Sequence, residues 1–272
     1  MNKYVKYIIL GIIAVAISSL LFQPKEDTNT FPQRDYAEII QSGILRAVTE
    51  YNSVNYHANG DSMVGFHFEL LKAFAENKGL SLEVVPIMSM DERMKGINNG
   101  KFDILANDVL ITTDRKDSLL YTHPILLGKQ ILVQRKPFNE KDSNFIHSQL
   151  DLAHKTLHIV KGSPHKFRIM NLSNEIGDTI YIKEIDKYGP EQLLAMVAHG
   201  DIDYAVCDES IAKSLQNDFP QLHMTTNISF SQFYSWGVSK NNIVLLDTLN
   251  SWLEKYTQTR RFKELKKTYH KE

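Results

Sequence analysis

Short apolar runs alternate along the chain with stretches in which apolar residues return every three or four positions, and the two patterns follow each other in a regular order. Residues 44–49 read as a strand, 68–77 as a helix closed by Gly79, and 82–86 as a second strand. Strand, helix and strand in that order predict a parallel βαβ unit. The pattern continues with a helix over 91–98, closed by Gly100, and a strand over 102–105. It then repeats as strand 156–160, a helix after Pro164, strand 179–182, helix 191–199 and strand 204–207. The junction from helix to strand recurs as Gly100-Lys101-Phe102-Asp103 and Gly200-Asp201-Ile202-Asp203. An extended stretch over 129–135 and a loop over 136–148 separate the two halves, which predicts two lobes with a binding cleft between them. Two last helices, 243–256 and 260–269, carry Leu245, Leu249, Trp252, Leu253 and Tyr256 at helical spacing. The basic residues at their end, among them Arg260, Arg261 and Lys263, read as a solvated face.

The chain start breaks this pattern. Lys3 and Lys6 precede an apolar run over 7–22, and polar Gln23, Lys25, Glu26 and Asp27 follow at once. Positive flank, apolar run and polar exit together predict an export segment over 1–24, either a signal peptide or an uncleaved signal anchor. No small-x-small cleavage site follows the run, which inclines the reading toward the anchor. Both readings put the remainder outside the cytoplasm, in the periplasm. Residues 25–35, polar and carrying Pro32, predict a short tether before a folded part that begins near Tyr36.

Composition narrows the function. The chain has 272 residues, enough to bury a real core, and its 31 basic and 32 acidic side chains nearly cancel, so no global field draws it to nucleic acid. Cys207, the only cysteine, excludes an internal disulfide and a lipid anchor near the N-terminus, and its apolar strand marks it as core. Neither a metal-ligand spacing nor a G-x-S-x-G turn is present, and no cofactor is expected. His57, His67, His123 and His165 fall where a cleft is expected, which keeps open a small dehydratase or lyase working by acid–base chemistry.

Four stretches carry a resemblance: Gly65-Phe66-His67-Phe68-Glu69-Leu70; Gly100-Lys101-Phe102-Asp103; Thr112-Thr113-Asp114-Arg115 with Tyr121-Thr122-His123-Pro124; and Gly200-Asp201-Ile202-Asp203-Tyr204 running into Asp208. No one of them is specific, but in this order and spacing, over nearly all of 36–272, the chain resembles the family-3 bacterial extracellular solute-binding proteins. Within them it is most similar to the N-terminal binding domain of the membrane-bound lytic transglycosylase F family. The resemblance implies an α/β, two-lobed type II periplasmic-binding-protein fold with a hinge and an inter-lobe cleft. Lobe 1 is expected over 36–133 and again over 230–272, and lobe 2 over 134–229, with crossings near Val133 and Phe230.

The resemblance also implies a site. Arg115, next to Thr112, falls where the family grips a ligand's α-carboxylate, and guanidinium suits carboxylate through two parallel charge-assisted bonds. Asp208 falls where the family receives the ligand's ammonium, which would make the ligand zwitterionic; the other reading of Asp208 is a cap on a helix starting near Ser210. Glu209 takes the role if the register slips by one. Gly162 and Ser163, ahead of Pro164, stand at a helix N-terminus that either offers N–H groups and a hydroxyl to an anion or is simply capped by Ser163. Tyr56 falls near an aromatic that covers the ligand. Asp108 and Leu110 depart from the family's pattern, and Asp108 either neutralises Arg115 or holds a second cation.

These observations predict a monomeric, non-catalytic solute receptor for transport or sensing. Its ligand carries a carboxylate (an amino acid, small peptide or muropeptide-like compound), and its macromolecular partner is an ABC permease or another membrane protein. An anchored regulatory module for cell-wall metabolism is the alternative. In the transglycosylases the cutting is done by a C-terminal lysozyme-like domain, and this sequence stops at Glu272 directly after the binding domain, so no transglycosylase activity is expected.

Overall fold

A computed structural model describes residues 31–111, 117–139 and 142–270. The expected export segment, most of the tether, Thr112 and Arg115 lie outside these described residues.

The apolar runs become strands of two separate sheets. In the first, β1 (Ile44–Thr49) lies parallel between β4 (Ser81–Pro86) and β5 (Ile104–Leu110). The late strand β13 (Gln232–Val238) runs antiparallel to β5 and pairs on its other side with β6 (Leu120–Tyr121) and β7 (Leu126–Gly128). In the second sheet, β9 (Thr156–Val160) lies parallel between β10 (Tyr181–Ile185) and β11 (Tyr204–Asp208). There β8 (Gln130–Arg135) is antiparallel to both β11 and β12 (Leu222–Asn227). A small hairpin, β2 (His57–Asn59) with β3 (Ser62–Val64), stands apart. The first crossing between sheets therefore falls between Gly128 and Gln130, earlier than Val133, because the whole of β8 pairs within the second sheet. The return runs over 228–231.

Helices cover both faces of each sheet, as parallel strands require. On the first, α2 (Phe66–Lys78), α7 (Ile243–Tyr256) and α8 (Arg260–Tyr269) bury Phe66, Leu70, Phe74, Leu249 and Trp252 against Trp236. The opposite face packs α3 (Met90–Asn98) on Val48 and Leu105 through Met90 and Ile97. On the second sheet, Leu193 and Val197 of α5 (Pro190–His199) meet Ile131 and Val133. Ile169 and Leu172 of α4 (His165–Ile176) meet Leu132 and Leu157 on the other face. Neighbouring residues of β8 thus enter opposite cores, which is why this strand reads as an unbroken apolar run.

The repeated Gly-x-x-Asp junction does structural work. Asp103 accepts the Arg46 backbone N–H at 2.8 Å and holds Arg34 with both oxygens, while its own N–H donates to Arg46 O, so it stitches β5 onto β1. In the second copy Asp203 pairs with Arg135, whose guanidinium also closes the end of α5 through the Val197 and Ile202 carbonyls. Arg34 further donates to Ile44 O, and Gln33 to Asn98 O at 2.7 Å. The last residues of the expected tether therefore belong to the folded domain, which begins ahead of helix α1 (Tyr36–Ser42) with Asp35 as its cap.

Candidate functional site

The C-terminal ends of β1, β5, β9 and β11 face one another across the gap between the sheets, the place where open α/β folds present ligand groups. A cavity of about 60 Å³, partly open to solvent, lies there between the lobes. The first lobe lines it with Glu50, Asn55, Arg93, Asn107 and Asp108, and the second with Ser163, His165 and Asp208.

On the first lobe, Trp236 donates its indole N–H to His67 Nδ1 at 2.9 Å, and His67 Nε2 lies 3.0 Å from Asp108 Oδ1. Because indole nitrogen can only donate, Nδ1 accepts and the imidazole proton sits on Nε2, aimed at Asp108. Burial opposes ionisation of Asp108, and the imidazoles of His67 and His270 together outweigh it, holding the carboxyl below its ordinary value. Glu50 differs: burial pushes its carboxyl up, with Arg93 pulling it back from 3.9 Å. Arg93 is itself fixed by the Ile87 and Met88 carbonyls, at 2.6 and 3.2 Å. Asn55 is placed by the turn that Asn52 makes, its Oδ1 accepting the Val54 and Asn55 N–H groups. That turn packs on Gly65, where φ is +134° and a Cβ would lie 2.4 Å from the Asn55 carbonyl oxygen, so only glycine fits.

On the second lobe, Asp208 follows the apolar strand β11 and precedes the short helix α6 (Glu209–Ser214), but its side chain caps nothing. It accepts instead from the hydroxyl of Tyr234, on β13 of the first sheet, and His165 Nε2 stands 3.6 Å away. Burial and the neighbouring carboxylates push the Tyr234 hydroxyl far up, so it remains a donor. Ser163 does not cap α4 either: among the described residues its buried hydroxyl makes no hydrogen bond, and neither do the two ring nitrogens of His165. Asn55 Oδ1 and Asn107 Oδ1 are likewise buried and accept no hydrogen bond from the described residues.

The lobes touch directly around this cavity. Ser53 N–H donates to Glu191 Oε1 on α5, and its hydroxyl meets that of Ser214 on α6, both at 2.7 Å. The arrangement is a closed one.

Of the residues the sequence singled out, Asp108, Ser163 and Asp208 come together on the cavity wall. Gly162, at φ +72°, lines the neighbouring groove beside Asp91, and Tyr56 packs edge-on against Phe68 and Tyr51 away from the cavity lining. Glu209 points to Lys129 and Lys213. Of the four histidines, His165 lines the cavity and His67 stands one residue behind it. Cys207 is buried, and burial pushes its thiol up, as expected of a core residue. Sequence reasoning missed Glu50, Asn55, Arg93, Asn107 and Tyr234. Glu50 carried a signal, a polar residue directly after an apolar parallel strand; Asn107 and Tyr234 sit inside strands and carried none.

The model of the bacterial extracellular solute-binding proteins, family 3, matches residues 45–272. The chain belongs to this family. Among curated relatives, it is 26% identical to the membrane-bound lytic murein transglycosylase F of Photobacterium profundum over 211 residues, 76% of this chain and 40% of that protein. It is 24% identical to the protein of that name from Pseudomonas fluorescens strain Pf0-1, over 98% of this chain and 52% of that protein. The chain thus spans about half the length of these relatives, and what it shares with them is the solute-binding domain of family 3. An ancestral arginine-binding protein bound to arginine superposes with a TM-score of 0.72, at 24% identity over 84% of this chain and 98% of that one. A putative binding component of an ABC transporter from Wolinella succinogenes, complexed with lysine, gives 0.72 at 20% identity over 85% and 97%. At these identities the likeness shows the fold, the type II periplasmic-binding-protein fold that family 3 shares.

Proposed function

We propose that this family-3 protein is an extracytoplasmic receptor that closes its two lobes over a small zwitterionic ligand, an amino acid or a short peptide-like compound. One observation carries the reading: in the cleft, Asn55, Asn107, Ser163 and His165 keep buried polar atoms that make no hydrogen bond among the described residues. Such atoms are costly unless something hydrogen-bonds to them, and a polar ligand does so. Asp208 receives the ligand's ammonium, Arg115 its carboxylate, and Ser163 adds a hydrogen bond from the second lobe. Closure is favoured with ligand because only the closed state makes contacts from both lobes at once.

Isothermal titration of the purified protein against amino acids, dipeptides and muropeptides tests this. Arg115→Ala is expected to abolish binding while leaving the unfolding transition in place; normal binding by that variant would put the carboxylate elsewhere. Similarity to the transglycosylase F proteins supports a second reading, an anchored module that senses cell-wall fragments and acts on a membrane partner. Binding of muropeptides but not of free amino acids would select it over supply of an ABC permease.

A further inference from the structure

The charges around the cavity are unevenly matched. Among the described residues lining it, Glu50, Asp108 and Asp208 bring carboxylates while Arg93 and Lys161 bring positive charge. Lys161 turns away to Asp186, at 3.0 Å, and Arg93 serves Glu50 and two backbone carbonyls. Asp208 is held by Tyr234 and is set aside here for the ligand's α-ammonium. That leaves Asp108. Its side chain is only 6% exposed, its Oδ1 meets a neutral imidazole, and its Oδ2 makes no hydrogen bond to the described residues. A neutral donor steadies the carboxylate without cancelling its charge, and a buried charge calls for a counter-charge.

A second observation points the same way. Asn55 and Asn107 are 3% and 5% exposed, line the same cavity, and have Oδ1 atoms that accept from none of the described residues. Buried acceptors in the cavity that the Asp108 carboxylate also lines suit a group that only donates and carries positive charge, an ammonium or a guanidinium. A second carboxylate or a phosphate on the ligand would meet like charge, and an apolar side chain would leave every acceptor unpaired. The relay from Trp236 through His67 fixes which oxygen of Asp108 is occupied and leaves the other free.

We propose that Asp108, with Asn55 and Asn107, forms a subsite for a second positive charge on the ligand, so that the receptor selects compounds with a cationic side chain. This rests on the receptor reading above. Titration of the wild-type protein with L-lysine against uncharged L-norleucine, and with L-arginine against uncharged L-citrulline, is the test. Each charged ligand should bind at least about 10-fold more tightly than its neutral counterpart, the scale of one charge-assisted hydrogen bond. In Asp108→Asn the preference of each charged ligand over its neutral counterpart should shrink to about 3-fold or less. Equal binding of charged and neutral members by the wild type overturns the subsite and leaves the receptor standing. A uniform loss of all four ligands in Asp108→Asn overturns it too, assigning Asp108 to the support of Arg115. Absence of binding by all four amino acids overturns the subsite, and failure of dipeptides and muropeptides as well removes the receptor reading with it.

Discussion

Ser53 reaches from the first lobe to Glu191 on the second, its backbone N–H 2.7 Å from Oε1, and the same residue's hydroxyl meets Ser214. These bonds join the two lobes, so opening the cleft would break them. Glu191→Ala is therefore expected to shift the unliganded protein toward open conformations, seen as a larger radius of gyration in solution scattering. Ligand affinity should fall by about 10-fold, the worth of one hydrogen bond to a charged group, with little change in unfolding.

Gly128 has no room for a side chain. A Cβ there would lie 2.1 Å from the ring of Tyr234, and that ring is buried with its hydroxyl committed to Asp208. Gly128→Ala should destabilise the fold by about 1–3 kcal/mol, measured as a shift in the urea midpoint, because a packed ring cannot move aside. The variant should also bind ligand more weakly, as Tyr234 and Asp208 stand at the crossing between lobes.

Ser163 distinguishes capping from binding. Its hydroxyl is buried and caps nothing, so Ser163→Ala should leave stability within about 0.5 kcal/mol of the parent. Ligand affinity, read by titration calorimetry, should drop by about 5- to 10-fold. A loss of stability with unchanged affinity would return Ser163 to a structural role.

Stability should decline in mild acid. Burial holds His158, His223 and His270 below the ordinary histidine value of 6.5. With folded values depressed, the unfolded chain binds more protons as pH falls through 6.5 toward those lower values, so protonation favours unfolding there. The melting temperature should be nearly flat above neutrality and drop between about pH 6.5 and 5. His158→Gln should flatten that slope.

Much of the architecture was legible because both lobes are built from βαβ units whose periodicity is plain. The strand over 156–160 and the helices over 243–256 and 260–269 fall at the residues their apolar spacing marks. The second sheet's β12 and the returning β13 carried weaker signals, since Thr, Asn, Gln and Ser interrupt their alternation. The crossing was read late because β8 is apolar on both faces and gives no hint of which sheet it joins. Within the site, Asp208 and Ser163 stand at strand ends and were visible as such. The Trp236, His67 and Asp108 relay was not, because it joins residues 169 and 41 positions apart and nothing local in any of the three announces it.

Gln33 and Arg34 fasten the start of the described domain to Asn98 and Asp103, and Tyr269 of α8 fastens its far end through Glu69 and the Gly65 N–H. Both ends of the domain are therefore bolted to the first lobe, while the second is joined covalently only through the two crossings. Mechanically, the first lobe is the stator and the second the rotor. If the cleft binds ligand as proposed, its occupancy moves the second lobe's outer surface against a fixed first lobe, and that surface is where a neighbour would read it.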